Sequence, residues 1–402
     1  MTAELVDSKA HKGSKATSRN RLGTEQHYAP LDGVRGLAIF AVFALHYGGG
    51  RHLGNPLEQF IGAVAFRGWM GVDLFFVLSG YLITRILLRS VHDRSYYRTF
   101  YARRTLRIFP LYYGVLLGLL VATPWLGLHW QALHLAYPLY LQNILTIIQA
   151  HPTEYISATV TLGAFWSLAV EEQFYLIWPW LIRYCSGANR RIVWLFTISL
   201  AGPPLARVVA LHWVSLTACY HLLPCRVDSL ASGALLALLA AKNKLLLLPK
   251  WVPYLLLGSC VISVSYLSYS DAMANLLSTI GFSFIALGCA ALIWLTLWPT
   301  SLAARALSLA PLRFLGRYSY GLYVYHELVH KTLLRYLLLP FIRATKSIAV
   351  GSILFFAAAL AFNLVVAILS YHCFEIHFLR LKRYFCPGGE RDTQVPALAS
   401  TI

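Results

Sequence analysis

Charge is what this sequence has least of. Of 402 residues only 12% are Asp, Glu, Lys or Arg, and just 16 are acidic, whereas a soluble domain is roughly one quarter charged. The shortage excludes a disordered chain and an ordinary soluble enzyme. Cysteine is scarce too. The seven are odd in number and scattered, with no CxxC pair, so neither a thiolate framework nor a bound metal is expected. Cys219 and Cys225 fall in one predicted external loop, and spacing alone does not decide whether they pair. No internal repeat and no appended soluble domain is visible. Residues 1–27 are polar and basic, without the apolar stretch of a cleavable signal peptide. What the chain does have is apolar sequence: 58% hydrophobic residues and a mean hydropathy of +0.60. These gather in runs of about 20, the length of helix that crosses a ~30 Å hydrocarbon core. The expected class is an all-α polytopic membrane protein.

The net charge of +18 would suit a nucleic-acid partner only if it lay along one face or stripe. It is distributed otherwise. Ten apolar segments are read, at about 31–50, 69–88, 108–126, 162–182, 192–211, 229–241, 251–269, 276–298, 318–339 and 348–374. Twenty-five of the 34 basic residues fall in the alternate gaps of one side, from Lys9 to Arg391, and five in those of the other. The positive-inside rule makes this ten spans with both termini cytoplasmic. Segment 135–148 is then a short external or re-entrant piece. The expected organisation is a basic tail (1–27), a membrane domain (28–383) and a short C-terminal tail (384–402).

Ionisable side chains in a bilayer cost ~2.5–3.5 kcal/mol each on insertion scales, so they mark sites or internal pairs. Arg35 and His46, in LDGVRGLAIFAVFALH (31–46), return to within ~20° of one helix face with ~16 Å of rise between them. GVDLFFVLSGY (71–81) sets Asp73 towards the outside and Ser79 deeper, beside Gly80. Ser79 reads either as a nucleophile or as a small packing residue, and Asp73 as a partner of His46 or Arg226. Arg104 and Arg107 open the third predicted span at the cytoplasmic face, as a topological anchor or a bidentate phosphate clamp. WSLAVEEQFY (166–175) puts two glutamates in an apolar helix, with Glu171 facing the bundle on the side of Ser167, Phe174 and Tyr175. Arg226 and Asp228 stand at the start of the sixth span. GRYSYGLYVYH (316–326) carries Ser319 and His326, and Glu375 lies near the end of the last span.

His326, Glu327 and His330 spell HExxH, which on one helix aligns two imidazoles beside a glutamate. With Asp32 of Leu31-Asp32-Gly33 as a third ligand, the pattern resembles the intramembrane site-2 zinc proteases. The two motifs occur in reverse order here, and Asp32 lies at the cytoplasmic edge while His326 lies some eight residues into its helix. This reading also leaves the other polar clusters without a role.

Together the clusters resemble the acyltransferase-3 family of integral membrane acyltransferases, from Leu31 to Glu375. LDGVRGLA…LH, GVDLFFVLSGYLIT, RTLR (104–107), WSLAVEEQFYL, RVD (226–228) and SYGLYVYH occur in the family's order, and the family's recurrent glutamate matches Glu171. One departure is that a Glu followed shortly by Pro commonly ends the family's last helix, whereas Glu375 is followed by Ile376 and His377. The resemblance implies transfer of an acyl group, usually acetyl, from cytoplasmic acyl-CoA to hydroxyls of carbohydrates or other envelope or secreted molecules. It implies a multi-pass protein of the inner (cytoplasmic) membrane, with no tightly bound cofactor and no nucleic-acid partner. On this expectation Arg35, Arg104 and Arg107 hold the donor's phosphates, His46 is the general base and Glu171 orients it. Asp73, Ser79, Trp166, Tyr175, Arg226, Asp228, Ser319 and His326 bind substrate or support the site. Direct transfer is expected ahead of a covalent Ser79 intermediate. A transporter or flippase is the non-enzyme alternative, although the hydropathy pattern shows no related halves.

Overall fold

The computed structural model describes residues 28–48, 56–148, 156–157, 159–267 and 275–385. The expected tail 1–27 and residues 386–402, and with them the side on which both termini lie, fall outside the described residues. The chain is all-α and polytopic, and no strand occurs among the described residues. Its helices are α1 (Ala29–Tyr47), α2 (Pro56–Phe66), α3 (Met70–Ser90), α4 (Tyr96–Leu126), α5 (Gln142–Ile148), α6 (Phe165–Cys185), α7 (Asn189–Trp213), α8 (Leu216–His221) and α9 (Leu223–Ala241). After these come α10 (Val252–Leu267), α11 (Phe282–Thr296), α12 (Leu302–Leu307), α13 (Ala310–Arg317), α14 (Ser319–Leu328), α15 (His330–Leu333), α16 (Leu339–Thr345), α17 (Ile348–Ser370) and α18 (Ile376–Arg380).

Seven helical stretches among the described residues are long and apolar enough to cross a membrane. They contain α1, α3, α4, α7, α9, α11 and α17. The other three predicted crossings fall short for separate reasons. α6 carries Glu171, Glu172 and Arg183, α10 has 16 residues, and 318–339 is interrupted at Val329 and again by a π-turn over Leu334–Leu338. The seven-residue α5 lies within the predicted short segment 135–148.

Two boundaries differ from expectation in a way that matters for the site. α4 begins at Tyr96 and not near 108. Its first turns are too polar for a hydropathy reading, yet they contain nothing that breaks a helix before Pro110. Arg104 and Arg107 are therefore interior residues of a 31-residue helix and not its opening. α9 likewise begins at Leu223, with Pro224 in its first turn, so Arg226 and Asp228 are buried within it.

The bundle closes on small residues. A Cβ placed on Gly80 of α3 would lie 1.8 Å from the Leu230 carbonyl oxygen, and one on Gly233 of α9 would lie 1.8 Å from that of Val77. α1 meets α13 in the same manner, at Gly36 and Gly316. Close backbone approach of this kind is how helices associate where lipid removes the hydrophobic drive between them. Outer faces expose large apolar side chains such as Leu117, Val121 and Trp125 of α4 and Leu205 and Val209 of α7. In water such patches would be an aggregation liability; they suit a lipid surround.

Candidate active site

The three arginines expected to hold an anion come together. Arg35 of α1 donates to Asp32 at 2.6 Å, one helical turn away. Arg104 of α4 projects inward, its guanidinium 3.9 Å from the centre of the Tyr175 ring, and Nη2 reaches Ser79 Oγ at 3.4 Å. Arg107, a turn further on, lies within electrostatic range of Arg35, Arg104 and Glu375 and makes no hydrogen bond among the described residues. Two helices thus assemble three guanidinium groups in one region, and Asp32 is committed to Arg35.

Glu171 of α6 faces this cluster. Its carboxylate lies beside the hydroxyls of Ser79 and Tyr175, one of which donates to the other. Both Glu171 and Glu172 interact with Arg104. No hydrogen bond between Glu171 and His46 occurs among the described residues. The neighbouring Glu172 also turns inward, with Oε1 buried and without a hydrogen-bond partner among the described residues. Two adjacent helical residues point only about 100° apart, wide enough for both to border one arginine.

His46, at the last turn of α1, has different company. Its Nδ1 lies 2.9 Å from the Val42 carbonyl oxygen. As Nδ1–H is the group that can donate there, Nε2 carries the lone pair. The His326 ring lies edge-on at 4.8 Å between centroids, and the His330 ring at 5.9 Å. One ligand atom each of His46, His326 and Glu327 fall within 4.8 Å of one another. A backbone carbonyl one turn back, that of Val42, fixes the tautomer.

The predicted supporting residues divide between this interior and structural clamps. Asp73 pairs with Arg226 at 2.6 Å and accepts from Ser229 at 2.9 Å, all fully buried. That decides its partner. Phe282, Tyr220 and Phe76 surround the Arg226 guanidinium at 4.4, 5.1 and 5.8 Å from the ring centres. Asp228 is held by both terminal nitrogens of Arg207 at 3.0 Å and by Ser283 at 2.6 Å. Arg207 was legible only as a charge inside an apolar segment. Trp166 packs among Tyr220, His221 and Phe76, and Ser319 is buried at the first position of α14. Cys219 and Cys225 are both free thiols, and Cys219 Sγ donates to the Arg207 carbonyl, so they do not pair. The protease arrangement fails in two respects: Asp32 is occupied by Arg35 at the opposite end of α1 from His46, and the helix breaks at Val329 inside HExxH.

A helical membrane bundle with guanidinium, carboxylate, hydroxyl and imidazole groups in its interior defines a polytopic membrane protein with a polar interior. The chain belongs to the acyltransferase-3 family, whose profile, described as an acyltransferase domain, matches residues 28–372. It is 30% identical over 328 residues to YrhL of Bacillus subtilis (strain 168), covering 75% of this chain and 49% of that protein. It is 29% identical over 341 residues to O-acetyltransferase OatA of Staphylococcus aureus (strain NCTC 8325 / PS 47), covering 75% and 51%. Against peptidoglycan O-acetyltransferase OatA of Listeria monocytogenes (strain EGD-e) the identity is 29% over 329 residues, covering 74% and 49%. The chain spans about half the length of these curated relatives. No solved structure matches it.

Proposed function

We propose that this chain transfers an acyl group, acetyl above others, from acyl-CoA on the cytoplasmic side of the inner membrane to a hydroxyl of an envelope glycan. The names of the Bacillus and Listeria relatives, a putative peptidoglycan O-acetyltransferase and a peptidoglycan O-acetyltransferase, support a glycan acceptor of that kind. The observation that carries the reading is the gathering of Arg35, Arg104 and Arg107. Three like charges repel where the medium screens poorly, and a polyphosphate entering among them relieves the repulsion through charge-assisted hydrogen bonds.

In this reading the donor's phosphates rest on the arginines and its thioester extends into the bundle towards His46. The acceptor oxygen gives its proton to His46 Nε2 as it attacks the thioester carbonyl carbon. The tetrahedral adduct then expels the CoA thiolate, which takes the proton back from the imidazolium. Val42 holds Nδ1–H in place throughout. Glu171, with Tyr175 and Ser79, keeps Arg104 aimed inward. A second reading has a specific observation in its favour: the Glu171 carboxylate lies beside the Ser79–Tyr175 hydroxyl pair, where a base could activate the serine as a nucleophile.

One experiment tests both. Purified protein is given acetyl-CoA with or without a soluble glycan acceptor, and free thiol is followed. Direct transfer requires release only with acceptor, and a loss of roughly 10²–10⁴-fold in His46→Ala, the usual contribution of a general base. One equivalent of thiol released without acceptor, and abolished in Ser79→Ala, assigns the covalent route. Full activity in His46→Ala removes the general-base role.

A further inference from the structure

The three imidazoles around His46 share a feature that the transfer reading leaves unused. Each has one ring nitrogen engaged by backbone: His46 Nδ1 at the Val42 carbonyl, 2.9 Å, His326 Nδ1 at the Tyr323 carbonyl, 2.7 Å, and His330 at the backbone of His46 itself. The nitrogen bonded to a carbonyl must be the protonated one, so the other carries a lone pair. His326 Nε2 and His330 Nε2 are buried with no hydrogen-bond partner among the described residues. A buried, unpaired acceptor costs about 1–3 kcal/mol, and here two of them adjoin the ring of His46 or His326. Imidazoles whose N–H is tied to a backbone carbonyl, leaving the other nitrogen's lone pair available, are the usual surroundings of a metal-ligating histidine.

We infer that His46, His326 and Glu327 form a binding site for a divalent transition cation of the zinc type. Their ligand atoms lie within 4.8 Å of one another, so a central ion at ~2.0–2.1 Å from each is reached by side-chain shifts of less than about 1 Å. The His330 ring lies 5.9 Å from that of His46, outside this set of three. Two imidazoles and one carboxylate are a borderline-soft set that favours zinc over calcium or magnesium. Glu327 at present accepts from the Ala164 backbone and faces Lys331, and the dication replaces that lysine as its partner. His46 and Glu327 are only part-buried, which leaves a way in. The sequence motif suggested a metal for another reason, with Asp32 as third ligand; the structure substitutes His46, which is remote in sequence.

A consequence rests on the general-base reading above. One lone pair cannot both hold a metal and accept a proton, so filling the site removes the base and stops transfer. The site is an inhibitory one, released by chelation.

The test uses the full chain in detergent, stripped with chelator and titrated calorimetrically with Zn²⁺, with Co²⁺ absorbance as a second probe. The expected result is one Zn²⁺ per chain, with affinity lowered at least about tenfold in His326→Ala and in Glu327→Gln. Absence of saturable binding, or equal affinity in a folded Glu327→Gln protein, overturns the site. In parallel, thiol release from acetyl-CoA with acceptor is measured on the metal-free and loaded protein. A fall of about 100-fold on loading, reversed by chelator, is the size expected if the base is blocked. Binding that depends on residues 326 and 327 but leaves transfer unchanged upholds the metal site and overturns the general-base role of His46. Failure to bind leaves that role to be judged on the His46→Ala result alone.

Discussion

Arg107 shows how the neighbours of a side chain set its meaning. With two guanidinium groups nearby and no hydrogen bond of its own among the described residues, it is the arginine most available to an incoming phosphate. Arg107→Ala should raise KM for acyl-CoA about tenfold to a hundredfold, the worth of a hydrogen bond to a charged group, and leave kcat nearly unchanged. A fall in kcat alone would place Arg107 at the reacting atoms and not at the phosphates. Arg226 is the opposite case. Its pairing with Asp73 is sealed by aromatic rings, yet Arg226 Nε and Nη1 and Asp73 Oδ2 have no hydrogen-bond partners among the described residues. Removing one member of such a buried pair strands the other, at about 3–5 kcal/mol, whereas replacing both with apolar groups is often neutral. Arg226→Met should therefore lower the thermal midpoint in detergent sharply, and Asp73→Leu with Arg226→Met should recover most of the loss. No recovery would mean that the pair has a role beyond holding α3 to α9.

At the scale of the helix, the α3–α9 contact determines whether the site exists. Gly80 and Gly233 let each backbone touch the other's carbonyls, and Asp73 with Arg226 and Ser229 stitches the same two helices near one end. Gly80 directly follows Ser79, so the close approach also holds the hydroxyl that meets Tyr175 and Arg104. A leucine at position 233 would push the helices apart along their whole contact. Gly233→Leu should reduce the monodisperse fraction on fluorescence-detected size exclusion well below that of Gly202→Leu, since a Cβ at Gly202 meets nothing within 4 Å. Equal behaviour of the two variants would contradict the packing argument. Helix length matters as much as contact. Because α4 extends back to Tyr96, Arg104 lies deep enough to rest on Tyr175; a helix starting at 108 would leave it in a loop.

For the whole molecule the question is which way the bundle faces. By the positive-inside rule the charge asymmetry predicts the turn between α6 and α7 in the cytoplasm and the turn after α7 outside. Gly187 and Val214 are exposed residues of those two turns. In intact cells a membrane-impermeant thiol reagent should label Val214→Cys at once, and Gly187→Cys only after permeabilisation, each compared with the unsubstituted chain. The reverse order would invert the orientation and move the arginine cluster away from cytoplasmic acyl-CoA.

The sequence by itself determined the class. Apolar run length sets what can span a bilayer, small residues mark the close contacts, and the cost of intramembrane charge singles out Arg35, His46, Asp73, Arg104, Arg107, Glu171, Arg226, Asp228 and His326. These are local properties, readable from one segment at a time. Which of those residues meet was decided only by the tertiary structure. Asp73 had two possible partners and took Arg226; Glu171 joined Ser79 and Tyr175; His46 met His326 and His330, 280 or more residues further along the chain. Periodicity places a residue on a face of its own helix but carries no information about the rotation, depth or neighbour of the next. Those follow from how glycine contacts, buried ion pairs and helix breaks are satisfied together, and they are properties of the packed bundle.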